Sequence, residues 1–172
     1  MKALNDDEND DENDDELFNF VRIYEINILY DIGQIYTYCG DYDTALRYLE
    51  QALAIETQIR YSKTVSRRFD IFAQIYDSIG DYDSAIHYYK QTLDACVGNG
   101  EVDKSALVLH NLGSIYLEQK GDMEQATIYL VRSYNINTQI GSPKAQVSYS
   151  ILEVILERIG EAKFKEIVSK MN

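Results

Sequence analysis

From Leu17 onward the apolar residues fall three and four apart: Leu17, Phe20, Val21 and Tyr24, then Ile28, Leu29, Ile32, Ile35 and Tyr36. That spacing paints a stripe along a helix of 3.6 residues per turn, so a first helix is predicted from residue 17 up to Gly40, which stops it. Asp41 is placed to cap a second helix, because its carboxylate can accept the unpaired amide hydrogens of a first turn, and Asp43 complements the positive end of the helix dipole. Ala45, Tyr48, Leu49, Ala52 and Leu53 form the apolar face of this second helix. A turn this short sends the chain back antiparallel, and the product is a helix hairpin.

The hairpin then repeats. "LYDIGQIYTYCGDYDTALRYLEQAL", starting at Leu29, aligns with "FDIFAQIYDSIGDYDSAIHYYKQTL", starting at Phe69, and with "LHNLGSIYLEQKGDMEQATIYLVRSY", starting at Leu109. Gly33, Ala73 and Gly113 stand forty residues apart, as do Tyr36, Tyr76 and Tyr116; one extra residue before the third turn puts Gly121 and Ala126 forty-one after Gly80 and Ala85. Each repeated position has a physical task. The small residues at 33, 73 and 113 and at 45, 85 and 126 let paired helices cross closely, leaving space into which the tyrosines pack. The aspartate after each turn glycine starts the second helix at the same place.

Beyond the third copy, Ser142 and Pro143 suit the N-cap and first turn of a seventh helix, which carries Val147, Ile151, Leu152, Val154 and Ile155 to Gly160. An eighth, "EAKFKEIVSKM", puts Phe164, Ile167, Val168 and Met171 on one face and Glu161, Lys163, Lys165, Glu166 and Lys170 on the other. This degenerate fourth unit, 142–172, has the polar exterior that ends a stacked array, although a truncated array would leave a similar unit. Upstream, "NDDENDDENDDE" from Asn5 to Glu16 is three copies of a four-residue unit without an apolar side chain. Residues 1–16 therefore read as a disordered acidic tail, and the tract lacks the glycine that a calcium loop needs.

The chain of 172 residues, 45% hydrophobic, is long enough for one compact domain, predicted over 17–172. Of its net charge of −13, the first sixteen residues carry nine of the 29 acids against Lys2 alone, so the rest is only mildly acidic. No basic stripe marks a nucleic-acid or anionic-membrane surface. No run of eighteen apolar residues exists and the N-terminus lacks a signal-peptide pattern, so the expected location is cytoplasmic. Cys39 and Cys96 lack CxxC spacing and are expected to be core or near-core thiols in a reducing compartment.

Catalytic chemistry was sought in the pattern and finds no carrier. Neither His87 nor His110 has a Cys, Asp or Glu partner at metal spacing that would also recruit the other histidine, and "VGNGE" at Val97 to Glu101 lacks the Lys-Ser/Thr of a phosphate loop, so neither a metal, a cofactor nor an enzyme activity is expected. The fifteen tyrosines fall chiefly at positions that pack. Arg60, Lys63, Arg67 and Arg68 form a basic group between copies one and two, either a solvated face or a seat for the acidic tail.

The motif set Ile32-Gly33, Tyr36, Ala45, Leu49, Ala52, then Phe72-Ala73, Tyr76, Ala85, Tyr89, Thr92, then Leu112-Gly113, Tyr116, Ala126, Leu130, Ser133 resembles the tetratricopeptide repeat over residues 20–140. The period of forty exceeds the usual unit of about 34 and the closing proline is missing; the longer period with "GDYD-x-A" and "HNLGSIY" is similar to repeats of kinesin light chains and spindle-orientation adaptors. The resemblance implies an all-α right-handed solenoid of helix hairpins with repeats near 20–60, 61–100 and 101–141. It implies a non-catalytic scaffold that holds a partner peptide or helix in a concave groove, or alternatively a peptide-sensing regulator or secretion-type chaperone of the same fold. Groove positions flanking the packing residues are Asn27, Tyr30, Asp31 and Gln34; Arg67, Asp70, Gln74 and Asp77; and His110, Asn111, Ser114 and Leu117. These do not supply the Lys and Asn clamp of carboxylate-tail binders, and their acidic excess favours a neutral to basic segment.

Overall fold

The computed structural model describes the backbone of residues 7–59 and 65–171, and the side chains of 17–59 and 65–171. Eight helices follow one another: α1 (Asp7–Cys39), α2 (Tyr42–Ile59), α3 (Val65–Ser78), α4 (Tyr82–Asn99), α5 (Val102–Glu118), α6 (Met123–Gln139), α7 (Ala145–Ile159) and α8 (Glu161–Ser169). No strand occurs among the described residues. The chain divides into two compact units, one up to Ile71 and one from Phe72 onward, with the division inside α3.

The turns form as the aspartates and glycines dictate. Asp41, Asp81 and Asp122 accept the backbone N–H of Thr44, Ser84 and Gln125 at 3.1, 3.2 and 2.9 Å, capping α2, α4 and α6. Gly80 and Gly121 precede them at φ of 82° and 66°, a left-handed conformation that costs glycine nothing and a side chain about 1–2 kcal/mol. The seventh helix starts at Ala145, later than Ser142 and Pro143 suggest; these form the turn ahead of it, where the Ser142 hydroxyl accepts the Lys144 N–H at 3.3 Å.

Within the N-terminal unit, Ile26 and Tyr30 of α1 meet Ala45, Leu49 and Ala52 of α2, all fully buried. Gly33 sits at the crossing: a Cβ there would lie 3.2 Å from Leu49 Cδ2 and 3.5 Å from the Ala45 carbonyl. Gly113 repeats this in the C-terminal unit against Leu130 Cγ at 2.6 Å and the Ala126 carbonyl at 3.4 Å. The repeat tyrosines stack on a second tyrosine across each hairpin: Tyr36 on Tyr48, Tyr76 on Tyr88 and Tyr116 on Tyr129, with centroids 5.7, 5.4 and 5.5 Å apart and rings within 10° of parallel. The C-terminal unit continues through Leu152 and Ile155 of α7, which join Ala126 and Leu130, with Phe164 of α8 packed against them.

Other expectations meet the structure as follows. The backbone is helical from Asp7, so α1 begins within the tract expected as an acidic tail; carboxylates at a helix N-terminus are favoured by its dipole. Residues 1–6 lie outside the described residues, as do Arg60 and Lys63 of the basic group. On α1 the face turned to α2 is Ile26, Tyr30, Gly33 and Thr37, while Leu17, Phe20, Val21, Tyr24, Ile28 and Ile35 are each more than half exposed. The helix is apolar on two opposite sides, and α2 takes the side with the small residue that permits close approach. Finally, Cys39 is exposed at the last position of α1, whereas Cys96 is buried.

Candidate functional site

The residues expected to line a binding face separate into three groups. Tyr30 leaves the set entirely: it is fully buried, and its hydroxyl faces the Glu56–Arg68 ion pair without closing a hydrogen bond to either. Burial, and secondarily the Glu56 carboxylate, hold this phenol protonated far above its ordinary range. Asp70 is also buried, at 8% exposure. Tyr30 lies on the packing side because α1 is turned so that Gly33, not Ile32 or Gln34, meets α2.

A second group, exposed at Asp31 and half-buried at Asn27, Gln34 and Arg67, is already engaged. Asp31 pairs with Arg67, whose guanidinium also lies 5.9 Å from the Tyr30 ring centroid. Asn27 donates to the Ile23 carbonyl of its own helix at 2.9 Å, and Gln34 donates to the Tyr38 hydroxyl at 3.2 Å. A ligand reaching these side chains must replace bonds that already exist, which lowers what it gains.

The third group lies in the C-terminal unit, on α3 and α5. Gln74, Asp77, His110, Asn111, Ser114 and Leu117 are all half-buried. Asn111 donates to the Tyr89 hydroxyl at 3.3 Å, leaving its carbonyl oxygen available. Burial raises the Asp77 pKa above 3.8, and the carboxylate of Glu118 raises it further. Neither Asp77 nor Glu118 makes an ion pair among the described residues, in contrast to Asp83, which holds Lys120 at 2.6 Å. Glu118 also acts on His110, favouring its charged form, but burial is the larger influence and Lys144 opposes too, so the imidazole pKa falls below 6.5.

Behind His110 runs a polar chain that the repeat pattern does not announce. An imidazole nitrogen of His110 lies 3.2 Å from the Ser148 hydroxyl, which lies 3.2 Å from the Ser133 hydroxyl, and Ser133 donates to the Ala106 carbonyl at 2.8 Å. Asn137 closes it by donating to the Ser133 carbonyl at 3.0 Å. Of these, His110, Ser148, Ala106 and Asn137 edge a cavity of ≈ 200 Å³ shared with Leu107, Lys144 and Val147. Ser133 occupies the small-residue position of the third copy, but its pairing with Ser148 depends on how α6 meets α7. Glu118 was likewise missed, because its counterparts in the other copies are Tyr38 and Ser78; its place four residues after Ser114, on the same helical face, is the signal that finds it.

The arrangement offers hydrogen-bonding groups and unneutralised negative charge, and its one hydroxyl–imidazole contact, Ser148 with His110, is part of the polar chain that runs on to Ser133. Among the described residues no group of three or more His, Cys, Asp or Glu is placed to hold a metal ion, and no helix is long and apolar enough to cross a membrane. The tetratricopeptide repeat family model matches residues 24–96 and again 73–139. No curated protein matches the chain significantly.

Proposed function

The chain belongs to the tetratricopeptide repeat family, whose repeats mediate protein–protein interactions and whose members are typically non-catalytic scaffolds, and from that premise we propose that it holds a neutral to basic segment of a partner protein against the first-helix face of its C-terminal unit. The observation that carries this reading is the pair Asp77 and Glu118. Two carboxylates within each other's field, one of them partly desolvated, are unfavourable as they stand, and a Lys or Arg side chain supplied from outside relieves both. Asn111, Ser114 and Gln74 flank them with groups that bond a peptide backbone, and Leu117 adds apolar contact.

The test is binding of a basic peptide library to the native chain and to the Asp77→Lys, Glu118→Lys double variant. Affinity for the preferred peptide is expected to fall at least about tenfold, or roughly 1.4 kcal/mol, with helicity unchanged. The same substitutions at Asp31, already neutralised by Arg67, are expected to change it by less than about twofold, since a screened rim charge contributes little. Equal binding by native chain and double variant sinks the proposal.

A further inference from the structure

α1 carries two apolar faces, and among the described residues only one has a partner. Opposite the buried line of Ile26, Tyr30, Gly33 and Thr37 runs a second line: Leu17, Val21, Tyr24, Ile28, Ile35 and Tyr38, each between 55% and 75% exposed. Their spacings are four, three, four, seven and three, and the gap of seven is filled by Asp31. This is a heptad seam interrupted once, at Asp31, with β-branched Val21, Ile28 and Ile35 at one core position and Leu17, Tyr24, Asp31 and Tyr38 at the other. Packing on α2 does not require it, because that face uses the opposite side of the helix.

From this seam we propose that the chain forms a homodimer in which α1 pairs with α1 of a second copy, antiparallel, over residues 17–38. Four observations select a second copy as the occupant. With Phe20, which is 55% exposed on the same side, the seam leaves on the order of 900 Å² uncovered, against about 800 Å² per partner in a standard interface and about 300–600 Å² for the largest apolar patch of an ordinary monomer. A heptad line is self-complementary, so one two-fold axis covers both copies at once and leaves no open end. The residues eighty positions after Ile28 and Ile35 are Val108 and Ile115 of α5, and these are buried against Ile86 and Tyr89 of α4, so this face of a first helix is shaped for a helix. Only Arg22, Glu25 and Asp31 are charged between 17 and 38, and Arg22 pairs with Glu25 at 2.7 Å, so little repulsion opposes close approach.

Charge also sets the direction. A parallel pair would place Asp31 opposite Asp31 and lay two acidic tracts, each with nine carboxylates before residue 17, side by side. The antiparallel pair sends the tracts to opposite ends and separates the two Asp31 carboxylates, each held by the Arg67 of its own chain.

The test is sedimentation equilibrium of the full chain in reducing buffer at about 50 μM, far above a micromolar dissociation constant. The expected mass is twice the 19.8 kDa of one chain. Ile28→Lys, and separately the milder Tyr24→Ser with Ile35→Gln, are expected to weaken the dimer at least tenfold while circular dichroism keeps its helical signal, because neither touches the α1–α2 core. Val97→Lys, at a side chain 71% exposed on α4, is expected to leave the dimer intact. A monomeric native chain, or a folded seam variant that still dimerises as tightly, overturns the proposal. Cys39 reads the direction: lying just past the seam, it is brought to its own copy only in a parallel pair, so oxidation of the dimer is expected to give no Cys39–Cys39 link. A rapid, stoichiometric link within the dimer overturns the antiparallel arrangement.

Discussion

Gly113 is the tightest point at which helices cross, and it shows how one atom is constrained by a repeat. A methyl group there meets Leu130 Cγ at 2.6 Å and Cδ2 at 3.0 Å, and Leu130 is itself fully buried with no room to retreat. Alanine in a helix interior gains about 1 kcal/mol over glycine from propensity, but overpacking a core costs about 1–3 kcal/mol. Gly113→Ala is therefore expected to destabilise on balance. Gly33→Ala, whose nearest neighbour is Leu49 Cδ2 at 3.2 Å, is expected to be neutral or stabilising, since a small movement of one side-chain end suffices. Urea unfolding of the two variants checks the ranking, and Gly113→Ala proving the more stable would contradict this account. The second copy already carries Ala73 at this position, opposite Tyr89, so the requirement is set by each pair and not by the repeat as such.

At the scale of the element, the three second helices share one starting device. Asp122 of α6 accepts the Gln125 N–H at 2.9 Å, and its backbone carbonyl accepts the Ala126 N–H at 3.0 Å. Removing the carboxylate strands a first-turn donor and withdraws a negative charge from the positive end of the dipole. Asp122→Ala is expected to cost about 1 kcal/mol, and Asp122→Asn, which keeps the acceptor, well under half of that. Thermal melts of both variants test the order.

For the whole molecule, electrostatics act through a few buried groups and not through the net charge of −13, much of which resides before residue 17. His110 has its pKa lowered below 6.5 by burial, so the unfolded chain takes up a proton more readily than the folded one. Its neutral form contributes stability that is intact above 6.5 and is lost as the pH falls toward the lowered value. Asp77 has the opposite sign: its raised pKa means that protonation in the acid range relieves strain in the fold. Melting temperature is expected to drop between about pH 7 and pH 5 in the native chain and to change less in His110→Gln, which keeps a hydrogen-bonding group near Ser148. Parallel pH curves for the two proteins would remove His110 from this role.

The all-α hairpin architecture, the turn glycines, the capping aspartates and the small residues at 33, 45, 113 and 126 were all legible in the sequence, because each is decided by neighbours within a few residues and then confirmed by its return forty residues later. The tyrosines at 36, 76 and 116 were legible as packing residues for the same reason. What the repeat could not decide was orientation about the helix axis. α1 has two apolar faces, and periodicity alone cannot say which one meets α2; the packing of Leu49 on Gly33 chose, and in choosing it buried Tyr30 and left Ile28 and Ile35 outside. Charge pairs between separate elements were equally out of reach. Asp31, Asp70 and Asp77 look alike as letters on first helices, yet one is neutralised by Arg67, one is buried, and one stands beside Glu118. Local chemistry is written along the chain, whereas burial and electrostatic neighbourhood are properties of surfaces that exist only once the helices have packed.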